Sequence, residues 1–473
     1  MSLRQRRNLP LVPLVVWLLL AAPLALIRHR ALETHAYDLS VFDYALWSTL
    51  QGRLGHVPFI GHSLFAHHFM PTLLVLLPPY ALAPSPVFLI VAQLSLTAAA
   101  VVALAKLAST QVAPEIAAAL CASFLFSRPS YNAIMSVFYI ESAIPLLVFL
   151  MLFAWWRRRW GLYWAAVVLA LGCKEDVALY VAGFGLLCAR RPEHRRVALL
   201  TVLLAVAWLA FAIGYAIPAA RAADGLPTAN PFLESRYGGP EGVSLADAVW
   251  QRLLTTRPWV KLFNLTTSVG LLCWAAPAAF APAFPGILLN LAARPEALQS
   301  AFAGHYAWAV LPWMFAAAVE AASRACDRWP RLKGPLAVVL LIPAVLDTPL
   351  WLELSKQPWT RVAAASQVRE QLARIPAEAS LTAQGNLIPH IPHRRILLPV
   401  NEEDIAARTD YLLLSELGVL WPLDSVQTQA RIEKYRHHPE YEVISDGPLF
   451  AFRNKARSAE PAEPLPARPR KIR

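Results

Sequence analysis

Lys174, Glu175 and Asp176 stand in consecutive positions inside "LALGCKEDVALYVAGFG" (169–185), a run otherwise suited to the interior of a membrane. Each such charge at a bilayer centre costs about 2.5–3.5 kcal/mol on insertion scales, so three together cost roughly 8–10 kcal/mol without compensation. A chain that keeps them has them in a hydrated cavity or against partners, and ionisable groups at membrane depth read as functional by default. The alternative is a self-neutralising structural cluster.

Further polar groups gather in segments that the charge pattern sends to the same membrane face. "HAYDLSVFDYALW" (35–47) carries Asp38 and Asp43, and "GHSLFAHHF" (61–69) carries His62, His67 and His68. Glu141 opens an apolar run after "SVFY"; Arg294, Glu296 and "GHYAW" (304–308), with His305 and Tyr306, precede another. Acids, histidines and a lysine near one face suggest a site at the lipid–water boundary. Each has a structural reading as well. Asp38 can N-cap a helix starting at Leu39. On such a helix Asp43, five residues on, points about 140° away. Glu141 can serve as a first-turn acid at a helix N-terminus, and His305 and Tyr306 can belong to an interfacial aromatic belt. Adjacent His67 and His68 cannot readily face one metal ion.

The elements that must position these residues are membrane helices. Hydrophobic residues make up 57% of the 473 and charged ones only 16%, and spanning-length apolar runs recur through the first three-quarters of the chain. The net charge of +12 does not signal nucleic acid, because the basic residues sit in tight groups between apolar runs. Arg4, Arg6 and Arg7 form one group; Arg157–Arg159, Arg190–Arg196 and Arg324–Lys333 form the others. This is the positive-inside pattern of cytoplasmic loops. The five cysteines lie in or beside apolar segments, with neither disulfide nor zinc spacing.

Parity between the basic groups sets the topology. Residues 160–189 separate two of them, so an even number of crossings is required: a hairpin of short arms tipped by Lys174–Asp176, each arm about 20 Å long. The segment 11–27 reads as a retained first span from a cytoplasmic N-terminus. "PTLLVLLPPYALAPSP" (71–86) reads as an interfacial or re-entrant helix, 260–293 as a second short hairpin, and 335–352 as the last span. The expectation is an all-α polytopic protein of the plasma membrane with about eleven transmembrane helices. The membrane module is 1–355, with a first outer loop at 28–70. Residues 356–453 form a small extracytoplasmic α/β domain, with helices at 361–375 and near 424–437 and strands at "SLTAQ", "DYLLLS" and "YEVIS"; 454–473 is a disordered tail.

An acidic first outer loop, a proline-broken interfacial helix, a charged hairpin tip and an outer C-terminal domain together resemble the GT-C superfamily of membrane glycosyltransferases. More closely, the chain resembles an uncharacterised family of bacterial and archaeal membrane proteins related to it. The matching stretches are "YDLSVFDYALWSTLQGR" (37–53), "HHFMPTLLVLLPPYAL" (67–82), "KEDVAL" (174–179), "HYAWAVLPW" (305–313) and "LTAQGNLIPHIPHR" (381–394). Where that family tends to carry a His-Pro pair before Glu141, this chain has Tyr139 and Ile140.

The resemblance implies transfer of a sugar from a polyprenyl-phosphate donor to an outer-face acceptor, with inversion. Asp38 matches the general-base position, with Asp43 and Glu141 as further catalytic candidates. Lys174 is then the first candidate to hold the leaving phosphate, backed by Arg294, His305 and Tyr306. Glu175, Asp176 and His68 orient it or bind sugar. No cofactor is implied, although a divalent metal joining Asp38 is compatible with the chemistry. The alternatives are a transporter or lipid flippase, and a non-catalytic scaffold. "NLIPHIPHRR" is then either a partner surface or a lid.

Overall fold

A computed structural model describes residues 8–229, 232–239, 243–401 and 408–457; the side chains of Asp38 and of residues 232–234 fall outside that description. The basic group Arg4–Arg7 and the tail from 458 onward also lie outside the described residues.

The first apolar helix, α1 (Val12–Arg30), leads into the first loop, where a π-helical turn (Ala36–Ser40) feeds α2 (Val41–Leu50). A single turn, α3 (Leu77–Leu82), follows a 3-10 stretch over Pro71–Leu76, in place of a full crossing. Then come α4 (Pro86–Ala108), α5 (Pro114–Phe126), α6 (Ile144–Trp156), α7 (Trp160–Leu171), α8 (Val177–Cys188) and α9 (Arg195–Phe211). Much of the chain's proline sits in the first turn of helices such as α4 and α5, where no backbone N–H is needed and φ is already helical.

Among the described residues four helical stretches are long and apolar enough to cross a membrane: Leu9–Arg30, Pro86–Ala108, Pro192–Ala223 and Pro330–Leu372. Shorter apolar helices, α5 to α8 among them, fill the space between. The arms α7 and α8 have 12 residues each, about 18 Å of helix against a hydrocarbon core of about 30 Å. The outer loop expected to run to about 259 carries three helices, Phe232–Tyr237, Leu245–Leu253 and Thr256–Thr266.

After short helical pieces up to Ala307, α10 (Leu311–Arg328) and α11 (Lys333–Leu346) close the membrane module. Its core lies where α5, α6 and α10 meet: Phe124 packs edge-on against Phe149 and Phe315 at 5.9 and 5.2 Å.

The C-terminal domain holds α12 (Val362–Leu372), α13 (Ser425–Arg436) and five strands: β1 (Leu381–Ala383), β2 (Leu397–Pro399), β3 (Tyr411–Ser415), β4 (Tyr441–Asp446) and β5 (Leu449–Asn454). Their order is β2-β1-β3-β5-β4, the first three parallel and the last two antiparallel to their neighbours. Alternation assigns the faces. Leu412, Leu414, Phe450 and Phe452 pack with Ile432 and Tyr435 of α13, whereas Leu413, Leu449 and Ala451 join the main core.

This domain is docked on the first loop. Ala36 N–H donates to the Gly385 carbonyl at 2.9 Å, and His35 Nε2 meets the Trp421 carbonyl at 2.8 Å. Arg361 pairs with Glu33 at 3.0 Å, and the His390 ring stacks on His29 at 4.4 Å. Gly385 is required there, since a Cβ would collide with the His35 ring.

Candidate functional site

The hairpin tip is built by a close approach. Thr72, in the 3-10 stretch before α3, donates its N–H to the Gly172 carbonyl at 2.9 Å and its hydroxyl to the Leu169 carbonyl at 2.8 Å. Any Cβ at Gly172 would run into Thr72. The residues just ahead of that stretch are thereby held over the tip. His68 Nδ1 sits 2.8 Å from one Glu175 oxygen, and the Phe69 N–H donates to the other at 3.1 Å. Both carboxylate oxygens of Glu175 are therefore engaged in positioning. Asp176 occupies the N-cap position of α8.

Lys174 points to a different set of partners. Its Nζ lies 3.5 Å from Glu141 Oε1, longer than the ~2.7–2.9 Å of a tight charge-assisted bond. Both side chains are nearly buried, 12% and 7% exposed, and Glu141 Oε2 has no hydrogen-bond partner among the described residues. On its other side Lys174 lies 5.6 Å from the Tyr306 ring centre, and the Arg236 guanidinium lies 5.5 Å from the same centre. Two cations thus converge on one aromatic ring. His305 stacks on Tyr139 at 3.9 Å and lies at the same distance from the Tyr306 ring, tilted by 37°. Burial, then the positive charge of Lys174, pushes His305 well below the usual histidine range, so its imidazole is neutral. Glu141, Lys174, Glu175, His68, His305 and Tyr306 are all brought together, with Asp176 beside them at the tip.

The remaining candidates are placed elsewhere. Asp43 is buried on α2; its Oδ1 accepts from the Tyr80 hydroxyl at 2.7 Å and its Oδ2 lies 2.7 Å from His393 Nε2. It joins the first loop, the interfacial helix α3 and the C-terminal domain. Arg294 donates from Nε to the Gly238 carbonyl at 3.0 Å, and its N–H to the Arg236 carbonyl at 2.8 Å. It therefore braces the segment that carries Arg236. The backbone of Asp38 lies inside the π-helical turn, whose N-cap is His35, so the alternative reading of Asp38 as an N-cap does not hold. A π turn also changes the angular count, so the 140° separation from Asp43 does not apply. No group of three or more His, Cys, Asp or Glu side chains among the described residues is arranged to hold a metal ion, and no step below uses one.

Sequence reasoning missed Arg236, Tyr80 and His393. Arg236 lies in a loop without periodicity, and the other two were visible only as parts of shared stretches, "LLPPYAL" and "IPHIPHR". Tyr139, noted as a departure from the resembled pattern, proves to be the ring under His305.

A bundle of apolar helices with a sheet domain clamped on its first loop, and a charged hairpin tip beneath the short helix α3, defines the class of the protein. The chain belongs to the family described as Predicted membrane protein (DUF2079), which matches residues 28–447. Among solved structures it is similar to ArnT from Cupriavidus metallidurans bound to undecaprenyl phosphate: the TM-score is 0.57 at 13% identity, over 95% of this chain and 99% of that one. The likeness is one of fold alone. No curated protein matches.

Proposed function

We propose that this protein transfers a sugar from a polyprenyl-phosphate donor to an acceptor on the extracytoplasmic face of the plasma membrane, inverting the anomeric centre. The observation that carries the reading is the convergence of Lys174 and Arg236 on the Tyr306 ring beside an unpaired Glu141 oxygen. The neighbour ArnT was crystallised with undecaprenyl phosphate, a lipid of the donor's class.

In the reaction the acceptor oxygen attacks the anomeric carbon, and the bond from that carbon to the lipid phosphate oxygen breaks. The phosphate leaves with the electron pair. The acceptor proton passes to the Asp38 carboxylate. Lys174 and Arg236 meet the charge that grows on the leaving phosphate, in a site where low exposure strengthens each contact. Glu141 Oε2 accepts a hydrogen bond from a sugar hydroxyl, and neutral His305 with Tyr306 walls the sugar. Glu175 and His68 hold the tip that presents Lys174. Asp43 fixes the position of α2 through Tyr80 and His393, as a positioning residue. The grouping of basic residues between apolar runs supports a cytoplasmic N-terminus and an extracytoplasmic C-terminal domain.

The test is release of polyprenyl phosphate from a panel of lipid-phosphate sugars by the purified protein. Wild type is expected to turn over one of them, and Asp38→Asn to lose about 10²-fold or more in rate while melting at the same temperature. Donor binding with no turnover by wild type would move the assignment to lipid transport or lipid binding.

A further inference from the structure

A cleft of about 980 Å³ opens between the end of α2 and the C-terminal domain. On the α2 side it is lined by Trp47, Gln51 and Arg53; on the other it receives Arg394, Arg395, Arg453 and Arg457. Two carboxylates, Glu378 and Asp410, share the lining. The Asp410 carboxylate is already engaged, accepting from Ser380 N–H at 2.7 Å and Ser380 Oγ at 2.8 Å. Arg394 is spent too, donating to the carbonyls of Pro376 and Ala379 at 3.1 and 2.9 Å. Arg53 and Arg395, by contrast, are exposed in the cleft, and the balance of the lining is strongly positive. The indole of Trp47 lies parallel to the His393 ring, 7° apart at 5.1 Å, giving the cleft a flat aromatic wall.

The cleft is at the upper end of the usual range for ligand sites, about 300–1,000 Å³. Arginines beside a flat aromatic surface suit a ligand with sugar faces to stack and anionic groups to pair. Its place on α2 also matters. Phe42, near the start of that helix, touches Tyr139 at 5.4 Å, and Tyr139 stacks on His305 of the candidate site. At 1.5 Å per residue Gln51 lies about 14 Å further along the helix.

We propose that the cleft is an acceptor subsite for a negatively charged saccharide, bearing phosphate or carboxylate, whose reacting hydroxyl lies some sugar units away at the Lys174 site. This rests on the glycosyl-transfer reading above. The charged saccharide is either a free glycan or the headgroup of a glycolipid; both carry the same chemistry.

The experiment titrates the full-length protein calorimetrically with pentamannosyl phosphate and with neutral mannopentaose, in wild type and in Arg53→Glu/Arg395→Glu. Melting curves check that the variant is folded. Wild type is expected to bind the phosphorylated glycan at least ~10-fold more tightly than the neutral one, and ~10-fold more tightly than the double variant does, with the preference shrinking at high salt. Competition by nanodiscs carrying phosphatidylinositol phosphate assigns the cleft to a lipid headgroup; no competition assigns it to a free glycan. Failure of the charged glycan to bind, equal binding by the double variant, or equal binding of the neutral glycan overturns the proposal. No donor lipid is present in the titration. A protein that binds the charged glycan yet never releases polyprenyl phosphate would therefore keep the cleft and lose the transfer reading.

Discussion

At the residue scale, two buried carboxylate contacts with different geometries suggest different duties. The Lys174–Glu141 contact is loose at 3.5 Å and leaves one carboxylate oxygen unpaired, as befits groups that exchange partners when substrate arrives. Asp43 is satisfied on both oxygens at 2.7 Å, as befits a fixed joint. Lys174→Met is expected to lower turnover by about 10²–10³-fold, the usual loss for one electrostatic stabiliser of a developing anion, read by single-turnover release of the lipid phosphate. Asp43→Ala removes the carboxylate partner of His393 and the shorter of two contacts of Tyr80, whose hydroxyl keeps the Asp43 carbonyl at 3.1 Å; at about 1–3 kcal/mol for a stranded polar group, its melting temperature should fall and the C-terminal domain should become sensitive to limited proteolysis. Asp43→Asn keeps an acceptor for Tyr80 and should recover part of that loss. The charged tip was legible in the sequence because three charges break an apolar run. Arg236 was not, because its partner ring lies in a distant loop that only the fold brings near.

At the element scale, the short hairpin and the helix seated on it form one unit. Arms of 12 residues, about 18 Å of helix, are shorter than a hydrocarbon core of about 30 Å, and Thr72 closes the tip. Gly172 is the point of contact. Gly172→Val is expected to cost about 1–3 kcal/mol through overpacking against Thr72 and to pull His68 from Glu175, lowering turnover with Asp38 and Lys174 intact. Denaturant melts together with release kinetics check both effects. Parity of basic clusters was enough to read this hairpin from sequence, and to read 71–86 as a short helix in place of a crossing. It could not reveal β2, a three-residue strand in a proline-rich stretch, nor β5, which follows β4 through a tight turn. The π turn at Ala36–Ser40 leaves no pattern either, because one extra residue per turn does not alter the apolar spacing of so short a helix.

At the scale of the whole molecule, the outer domain and the first loop make one body, and the stretch "QGNLIPHIPHR" is the seam. Its Gly385, His390 and His393 meet Ala36, His29 and Asp43 in turn, so it works as a docking edge. Burial, followed by the charges of His29 and Arg369, holds His390 well below the usual histidine range. The unfolded chain protonates this histidine near pH 6.5 and the folded one does not, so stability falls as pH drops below about 6.5, by up to about 1.4 kcal/mol per pH unit. Melting temperatures across that window should decline in wild type, and the slope should flatten in His390→Gln. The transfer reading depends on a lipid phosphate reaching Lys174. The most direct measurement is native mass spectrometry of the detergent-purified protein equilibrated with a polyprenyl phosphate and with the corresponding polyprenol. Wild type should retain the phosphate and not the alcohol, and Lys174→Met should lose that preference. Equal retention of both lipids by wild type, or an undiminished preference in Lys174→Met, would contradict the assignment of the hairpin tip as the phosphate site.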